Sequence, residues 1–356
     1  MKGADEAIAL LREMIRRPSP SRDEAATATL IYDWLTERGV DARRFYNNVW
    51  ALGRNFDPQK PILMLNSHHD TVKPSAQYTR DPYDPELAGG KIYGLGSNDA
   101  GASVVSLIAT YMELRDESLP FNLLLAVTAA EEVMGEFGMR AFLPEMERLG
   151  LKPDMVIVGE PTGMQPAVAE RGLIVLDGVA RGVAGHAARN EGVNALYRAI
   201  DDINRLRTFR FPKISDVLGP IKISITQIEA GRQHNVVPDE CRYVVDVRTT
   251  DAYSNAETAE ILQGVVEHST VTPRSTRVHA SVIPTDHPLV KATCELGREP
   301  FVSPTTSDMA LMYDIPSLKI GPGESARSHT ADEFVKVDEI KEAIGLYPRI
   351  LRKIKL

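Results

Sequence analysis

The stretch Pro61-Ile62-Leu63-Met64-Leu65-Asn66-Ser67-His68-His69-Asp70 decides the fold of this chain. Its apolar first half predicts a buried strand. The strand ends in His68 and Asp70, and open α/β sheets bind their ligands at this carboxyl edge. Because side chains alternate along a strand, His68 and Asp70 share one face and His69 points to the other. An imidazole beside a carboxylate suits a metal ligand and the group that orients it. The alternative is a surface loop that happens to carry these residues.

Length and composition limit the class of protein. The chain has 356 residues, more than one typical hydrophobic core, which predicts two domains. A net charge of -8 and the lack of a basic cluster argue against a nucleic-acid partner. Cys241 and Cys294 are far apart, so they indicate no disulfide framework and fit a reducing compartment. No apolar run is long enough to cross a membrane and no signal peptide is evident, so we expect a cytoplasmic protein without a membrane partner.

Three further apolar segments lead to acidic residues. Asp99 lies between a glycine-rich run and an apolar helix, as either a helix N-cap or a metal ligand. Glu131 and Glu132 follow a strongly apolar strand, where adjacent carboxylates are costly unless a cation lies beside them. The alternative for this pair is an acidic helix start. Glu160 follows another apolar strand. With His68, four apolar segments therefore carry potential metal ligands, which independent chance does not explain.

The order of the predicted elements indicates one domain inserted into another. Helices and strands alternate in residues 1–170 and resume after residue 283, which is typical of an α/β domain. Residues 171–282 read as strand, helix, two strands, helix and strand, the order of a ferredoxin-like α+β domain. The last of these strands is predicted at residues 277–283. We therefore predict a discontinuous domain, 1–170 and 283–356, that is interrupted by an inserted domain, 171–282.

Two local patterns predict helix starts. Ser21 followed by Glu24 resembles a capping box, which would open a helix that runs to about Arg38. The run at residues 305–308 predicts the start of another helix. A final helix is expected to start near Asp338.

The motifs, taken in order, resemble those of a family of co-catalytic zinc amidohydrolases. This family includes acetylornithine deacetylase, succinyl-diaminopimelate desuccinylase, aminoacylase and glutamate carboxypeptidase, and the resemblance is closest to acetylornithine deacetylase. It covers nearly the whole chain and implies a zinc-exopeptidase-like catalytic domain with an inserted lid and dimerisation domain. The motifs are SHHDTV (67–72), GLGSNDAGA (94–102), AEE (130–132), GEPT (159–162), GVAGHAA (182–188), NVVP (235–238), DVR (246–248), GPG (321–323) and SHTADEF (328–334).

The resemblance implies a centre of two divalent metal ions. His68, Asp99 and Glu160 bind one ion, whereas Asp99, Glu132 and His329 bind the other, so that Asp99 is shared. Imidazole and carboxylate ligands suit zinc, with cobalt or manganese as substitutes. Two such ions acidify a water molecule and polarise the scissile carbonyl.

The resemblance also implies catalytic and substrate-binding roles. Glu131 is the general base, and Asp70 orients His68. His186 reaches across a homodimer into the partner's active site, where it donates to the tetrahedral oxyanion. The residues that hold the substrate are Asn235, Arg248 and Gly323.

These roles predict hydrolysis of the amide bond of a small-molecule N-acyl amino acid. The expected substrate is N-acetyl- or N-succinyl-ornithine or -citrulline, which places the chain in arginine biosynthesis. A dipeptidase, an aminopeptidase and a succinyl-diaminopimelate desuccinylase have the same site chemistry and remain alternatives. Glu170 stands where desuccinylases often carry Arg, which favours a cationic or neutral substrate tail unless Glu170 is only a surface hinge residue. A non-catalytic binding protein would have lost a ligand or the base, and none is missing.

Overall fold

The chain divides into two units, and both ends of the sequence contribute to the larger one. The computed structural model describes residues 2–189 and 191–356. The large unit comprises Met1–Val168 and Ile283–Leu356, and the inserted unit comprises Ala169–Val282. The sheet of the large unit combines parallel and antiparallel strands, whereas the sheet of the inserted unit is antiparallel. The predicted fold class, an α/β domain with an inserted α+β domain, is confirmed.

The described residues form helices and short strands in alternation. The helices are α1 (Lys2–Ile15), α2 (Ala25–Glu37), α3 (Ala102–Leu114), α4 (Met139–Arg148), α5 (Ala195–Thr208), α6 (Asn255–Val265), α7 (Pro288–Cys294) and α8 (Val337–Lys353). None of these helices is long and apolar enough to cross a membrane. The strands are β1 (Arg43–Phe45), β2 (Asn48–Leu52), β3 (Ile62–His68), β4 (Leu87–Ala88), β5 (Lys91–Tyr93), β6 (Asn122–Thr128), β7 (Met155–Val158), β8 (Ala167–Glu170), β9 (Gly172–Arg181), β10 (Gly185–His186), β11 (Lys222–Ala230), β12 (Val236–Val237), β13 (Glu240–Thr249), β14 (Ser269–Pro273), β15 (Ser281–Val282), β16 (Phe301–Ser303), β17 (Ser317–Lys319) and β18 (Phe334–Lys336).

The main sheet has a parallel centre. Its strand order is β1-β2-β6-β3-β7-β17-β8-β15, and β16 pairs with β8. The four central strands, β6, β3, β7 and β17, are parallel to one another. Their carboxyl ends therefore meet at one edge, where an α/β sheet holds its ligands. The strands β3, β6 and β7 are buried along their whole length, which explains their unbroken apolar sequences.

Helices cover both faces of this sheet. Leu63 and Leu65 of β3 belong to a core that includes residues of α1, α3 and α8. Met64 points to the opposite face and packs in a second core with Phe142 and Met146 of α4. The period of two along the strand thus separates the two apolar layers. This double cover holds the carboxyl edge of the sheet in place.

The inserted unit has the ferredoxin-like arrangement. Its sheet order is β11-β13-β9-β14, and all neighbouring strands are antiparallel. Helices α5 and α6 contribute to its core, in which Leu206 and Leu262 join Leu176, Val245 and Val247 of the sheet. The core of this unit thus lies between the two helices and one face of the sheet.

The last strand of the inserted sheet differs from the prediction. It is β14, Ser269–Pro273, whereas the sequence predicts it at residues 277–283. Residues Ser281–Val282 form β15 instead, which pairs with β8. Helix α6 ends at Val265, which leaves residues 269–273 free to form β14. The β-branched run Thr270-Val271-Thr272 alternates between exposed and buried positions, which is typical of a half-buried strand.

Two predicted helix starts are also wrong in detail. The Ser21 hydroxyl makes no capping box with α2 but donates to Asp70 Oδ2 at 2.7 Å. The helix expected from residues 305–308 is one short turn, Asp308–Leu311. Few residues separate this turn from β17, so the chain has no room for a longer helix.

A buried carboxylate in the inserted unit supports a stability prediction. Asp202 of α5 is fully buried and accepts hydrogen bonds from the backbone N–H groups of Glu267 and His268, at 2.8 and 3.0 Å. Burial raises the pKa of Asp202, but these backbone hydrogen bonds outweigh it and hold the pKa below the usual value. Such bonds to a charged acceptor contribute roughly 1.5–3 kcal/mol each.

We expect Asp202→Asn to lower the free energy of unfolding by roughly 1–3 kcal/mol at neutral pH. Because the folded-state pKa is depressed, this contribution is complete above the unfolded-state pKa and is lost as the pH falls through the folded-state pKa. Urea unfolding at a series of pH values measures it. The neighbouring Asp201 is exposed, so Asp201→Asn is the matched control and should change little. An equal cost of both substitutions, or a cost that persists in acid, would contradict the prediction.

Candidate metal centre

Three parallel strands deliver side chains to the same edge of the main sheet. His68 is the last residue of β3. Glu131 and Glu132 follow β6 in the short turn Glu131–Val133, and Glu160 follows β7. His68 is 1% exposed, and the side chains of Glu132 and Glu160 are 8% and 12% exposed. The sheet therefore gathers four predicted site residues in one largely buried place.

Two loops complete this group of residues. Asp99 lies in the turn Ser97–Gly101, which leads into α3, and has an extended backbone (φ -120°, ψ 98°). His329 lies in the loop before β18 and has a left-handed backbone with φ 58°. Its side chain is half exposed, unlike the other ligand candidates. His329 thus closes the group from the solvent side.

One cluster forms around the His68 imidazole. Its Nε2 lies 3.2 Å from Asp99 Oδ1 and 3.7 Å from Glu160 Oε1. The Nδ1 atom faces Asp70, 3.1 Å from its carbonyl oxygen and 3.4 Å from its Oδ1. With Nδ1–H directed to Asp70, the lone pair of Nε2 is free to bind a cation.

A second cluster forms around the His329 imidazole. Its Nε2 lies 3.0 Å from Glu132 Oε2 and 3.8 Å from Asp99 Oδ2. The two oxygens of the Asp99 carboxylate therefore face different imidazoles. Asp99 has the geometry of a carboxylate shared by two neighbouring cations.

The donor set fits divalent cations. One ligand atom each from His68, Asp99 and Glu132 lies within 4.8 Å of the others. A tetrahedral zinc ion with bonds of about 2.0 Å places its ligand atoms roughly 3.3 Å apart, close to the separations in both clusters. Imidazole nitrogen and carboxylate oxygen are the ligand types that zinc, cobalt and manganese share.

Several titratable side chains lie close together in this candidate site. Burial and the neighbouring Asp99 charge raise the pKa of Glu160 to about 8. Burial and the charge of Glu160 also raise the pKa of Glu131 above its usual range. The hydrogen bond to Glu132 raises the pKa of His329 to about 9. Buried carboxylates that repel one another are stabilised by positive charge between them, which is what a divalent cation supplies.

Asp70 has a second contact that the sequence did not reveal. Its fully buried carboxylate accepts hydrogen bonds from the backbone N–H groups of Glu131, at 3.0 Å, and Glu132, at 3.3 Å. It also accepts from the Ser21 hydroxyl. Asp70 thus fixes the His68 imidazole and also the backbone of the acidic pair. The sequence offers one signal for this contact. Asp70 follows β3 and Glu131 follows β6, and these two strands are neighbours in the sheet.

Glu131 and His69 face different surroundings. Glu131 follows Ala130, whose left-handed backbone (φ 57°) turns the chain sharply after β6. One Glu131 oxygen lies 4.0 Å from His68 Nε2, farther than the ligand candidates around it. His69 is buried, with Nε2 2.9 Å from the Asn47 carbonyl oxygen and Nδ1 2.8 Å from Thr27 Oγ1. Glu131 therefore lies beside the clusters, whereas His69 packs behind the strand.

Two predicted residues of the inserted unit lie next to each other. His186 of β10 pairs with Val236 of β12, the residue after Asn235. The Asn235 carbonyl oxygen accepts a hydrogen bond from Ala187 N–H at 3.1 Å. Both His186 and Asn235 are exposed. The β10–β12 pairing thus brings the backbones of His186 and Asn235 close together.

The structure gives Arg248, Gly323 and Glu170 local roles. Arg248 makes a bidentate ion pair with Asp246, at 2.9 and 3.1 Å. Gly323 has φ 87°, and a Cβ there would lie 2.3 Å from Asn98 Oδ1, so the turn requires glycine. Glu170 is fully buried at the end of β8, so its interpretation as a surface hinge residue is wrong.

The comparisons with known proteins agree with this geometry. Residues 64–353 match the family described as peptidase family M20/M25/M40. A succinyl-diaminopimelate desuccinylase of Cereibacter sphaeroides is 29% identical over 381 residues, which cover 98% of this chain and 98% of that protein. A protein of the same name from Paracoccus denitrificans is 27% identical over 375 residues, with 97% of each chain covered.

Solved structures share the fold over almost the whole chain. An aminopeptidase PepT from Bacillus cereus has a TM-score of 0.79 at 18% identity, with 99% of this chain and 98% of that chain covered. A dinuclear metal-binding peptidase of the M20 family from Bacillus subtilis has a TM-score of 0.74 at 18% identity, with the same coverage. At this identity the likeness concerns the fold alone. The family match over most of the chain shows that this protein belongs to peptidase family M20/M25/M40, and its predicted class, an amidohydrolase, is confirmed.

Proposed function

We propose that this protein hydrolyses the amide bond of an N-acyl amino acid with the help of two divalent cations, preferably zinc. One observation carries the proposal: the two oxygens of Asp99 face two separate imidazole and carboxylate pairs. His68 and Glu160 would hold one cation, and Glu132 and His329 the other. Asp99 would be shared. Divalent cations held there supply polarisation of the scissile carbonyl and make a water molecule more acidic.

Two residues beside this centre, Asp70 and Glu131, are proposed to position a ligand and to transfer a proton. Asp70 keeps the proton on His68 Nδ1, so that Nε2 remains a ligand. A carboxylate oxygen of Glu131 takes a proton from the attacking water and passes it to the leaving amine nitrogen. The amide C–N bond then breaks to give a carboxylate and a free amine. Asp70 also holds the Glu131 backbone, which keeps the base beside the reacting atoms.

The inserted unit is proposed to act as a lid and dimerisation domain. Its exposed His186 lies in β10, and the backbone of the exposed Asn235 is hydrogen-bonded to the residue after His186. We propose that His186 donates to the oxyanion in the partner's active site, and that Asn235 and Arg248 bind the substrate carboxylate. Arg248 already pairs with Asp246, so a substrate carboxylate would have to share this guanidinium.

An N-succinyl-diaminopimelate type of substrate is proposed first. The relatives that match this chain over almost their whole length carry the name succinyl-diaminopimelate desuccinylase, an alternative in the sequence analysis, rather than acetylornithine deacetylase. A second candidate, an acyl-ornithine or acyl-citrulline, is favoured by Glu170, which stands where desuccinylases often carry Arg. Because the carboxylate of Glu170 is buried, its charge is not simply part of an exposed surface.

A substrate panel tests this proposal. Zinc-loaded protein is assayed with N-succinyl-diaminopimelate, N-acetyl- and N-succinyl-ornithine, the matching citrullines and several dipeptides. We expect the highest kcat/KM for the succinyl-diaminopimelate. A preference for an acyl-ornithine or acyl-citrulline would select the second candidate. Cleavage of dipeptides alone would contradict the deacylase proposal.

Glu131→Gln separates proton transfer from metal binding. The variant keeps the shape of the side chain but cannot accept the water's proton, so we expect kcat to fall about 10²–10⁴-fold with the bound metal unchanged. Enzyme kinetics and metal analysis measure the two effects. Glu136→Gln is the matched control, because Glu136 is exposed on the same loop. Near-native turnover of Glu131→Gln would exclude Glu131 as the general base.

The same variant tests the role of His186 across a dimer. His186→Ala and Glu131→Gln should each be nearly inactive alone, because each lacks one group of every active site. If His186 acts in the partner's site, exchange of subunits creates one complete site in each mixed dimer. Activity should then appear on mixing. Mixed dimers without recovered activity would show that His186 does not act in the partner's site.

A further inference from the structure

A second buried carboxylate lies against the turn that carries Asp99. Glu333 is 2% exposed. Its Oε1 accepts hydrogen bonds from the backbone N–H groups of Asn98, at 2.8 Å, and Asp99, at 2.9 Å. Its Oε2 accepts from Gly96 N–H at 3.1 Å. One side chain thus binds three backbone donors of the turn.

Strand pairing fixes Glu333 in this position. The residue directly precedes β18, which pairs antiparallel with β5, the strand that leads into the Asp99 turn. The Glu333 carbonyl oxygen also accepts a hydrogen bond from Gly94 N–H at 2.9 Å. Main chain and side chain of Glu333 therefore both bind the segment between β5 and α3.

The same turn is tied to the loop that carries His329. The Asn98 side chain donates to the Glu324 carbonyl oxygen at 3.1 Å and accepts from Glu324 N–H at 3.0 Å. It also lies within 3.3 Å of Ser328 Oγ, beside His329. Glu333 and Asn98 thus connect two segments that each carry a proposed metal ligand.

Backbone direction determines where the Asp99 carboxylate points. Asp99 and Ala100 have non-helical backbones within this turn, and the Asp99 N–H donates to Glu333. A buried backbone N–H without an acceptor is costly, and Glu333 accepts from three of them in this turn. The Glu333 carboxylate therefore favours the one backbone conformation in which the two Asp99 oxygens face different imidazoles.

We propose that Glu333 is a positioning residue that sets the affinity of both metal sites through Asp99. This inference rests on the proposed function, because it assumes that Asp99 is the shared ligand. Glu333 is not among the proposed metal ligands. Residues that orient metal ligands in this way typically contribute 10–100-fold to metal affinity.

Glu333→Gln tests the proposal. Glutamine keeps the length of the side chain, but its NH₂ group cannot accept a hydrogen bond, so at least one backbone N–H of the turn loses its acceptor. We expect the zinc Kd of the full-length protein, measured by competition with a chelator, to rise about 10–100-fold. Both ions should be affected. The visible absorption spectrum of the cobalt-loaded variant should also change, because the geometry around Asp99 changes.

Asp332→Asn is the matched control for this variant. Asp332 is the preceding residue, and its carboxylate also accepts backbone hydrogen bonds, from Thr79 and Arg80 at 2.9 and 3.0 Å. Those donors lie outside the metal centre. Asp332→Asn should therefore leave the zinc Kd and the cobalt spectrum as in the unmodified protein.

A purely structural role of Glu333 predicts a different result. In that case Glu333→Gln would lower the Tm of the metal-free protein without a change in zinc Kd, and this outcome would overturn the proposal. If Glu333→Gln does not fold, Glu333→Asp decides, because it keeps the charge but shortens the reach. A raised Kd supports the proposal, and an unchanged Kd overturns it. Failure of the unmodified protein to bind two ions would instead overturn the proposed function.

Discussion

The crowding of buried carboxylates around Asp99 is the constraint on which the rest of the site depends. Like charges in a low-dielectric place repel one another unless positive charge lies between them. The two Asp99 oxygens face two separate clusters, each with one imidazole and one further carboxylate. The parallel strands β3, β6 and β7 bring most of these groups to one edge, and helices pack on both faces of the sheet. The fold therefore concentrates negative charge where the chemistry requires cations.

Two buried carboxylates outside this group hold it together in the same manner. Asp70 accepts hydrogen bonds from the backbone N–H groups of Glu131 and Glu132. Glu333 accepts hydrogen bonds from those of Asn98 and Asp99. Each carboxylate thus binds the backbone of a segment that carries a ligand candidate, and Asp70 also faces the His68 imidazole. Irregular turns are mobile unless their donors and acceptors are satisfied. These two acceptors give loop residues the fixed positions that a metal centre needs.

The sequence predicted most of the candidate ligands but not the residues that hold those ligands in position. His68, Glu132 and Glu160 could be found because each lies at or just after the end of an apolar strand, and the parallel sheet brings such ends together. The contact of Glu333 with Asp99 spans 234 residues and leaves no local pattern, as does the use of the Ser21 hydroxyl by Asp70. Short strands such as β14 were misplaced because five residues carry little periodicity. The burial of Glu170 could not be read from the sequence, where a charged residue, Arg171, follows it directly.

The central claim is that one carboxylate serves two cations, and metal stoichiometry tests it most directly. Unmodified protein, Asp99→Ala and Glu136→Gln would be dialysed against zinc, and the bound metal measured per chain. The account predicts two tightly bound ions in the unmodified protein and in Glu136→Gln, and the loss of both in Asp99→Ala. A single ion in the unmodified protein, or two tightly bound ions in Asp99→Ala, would contradict it.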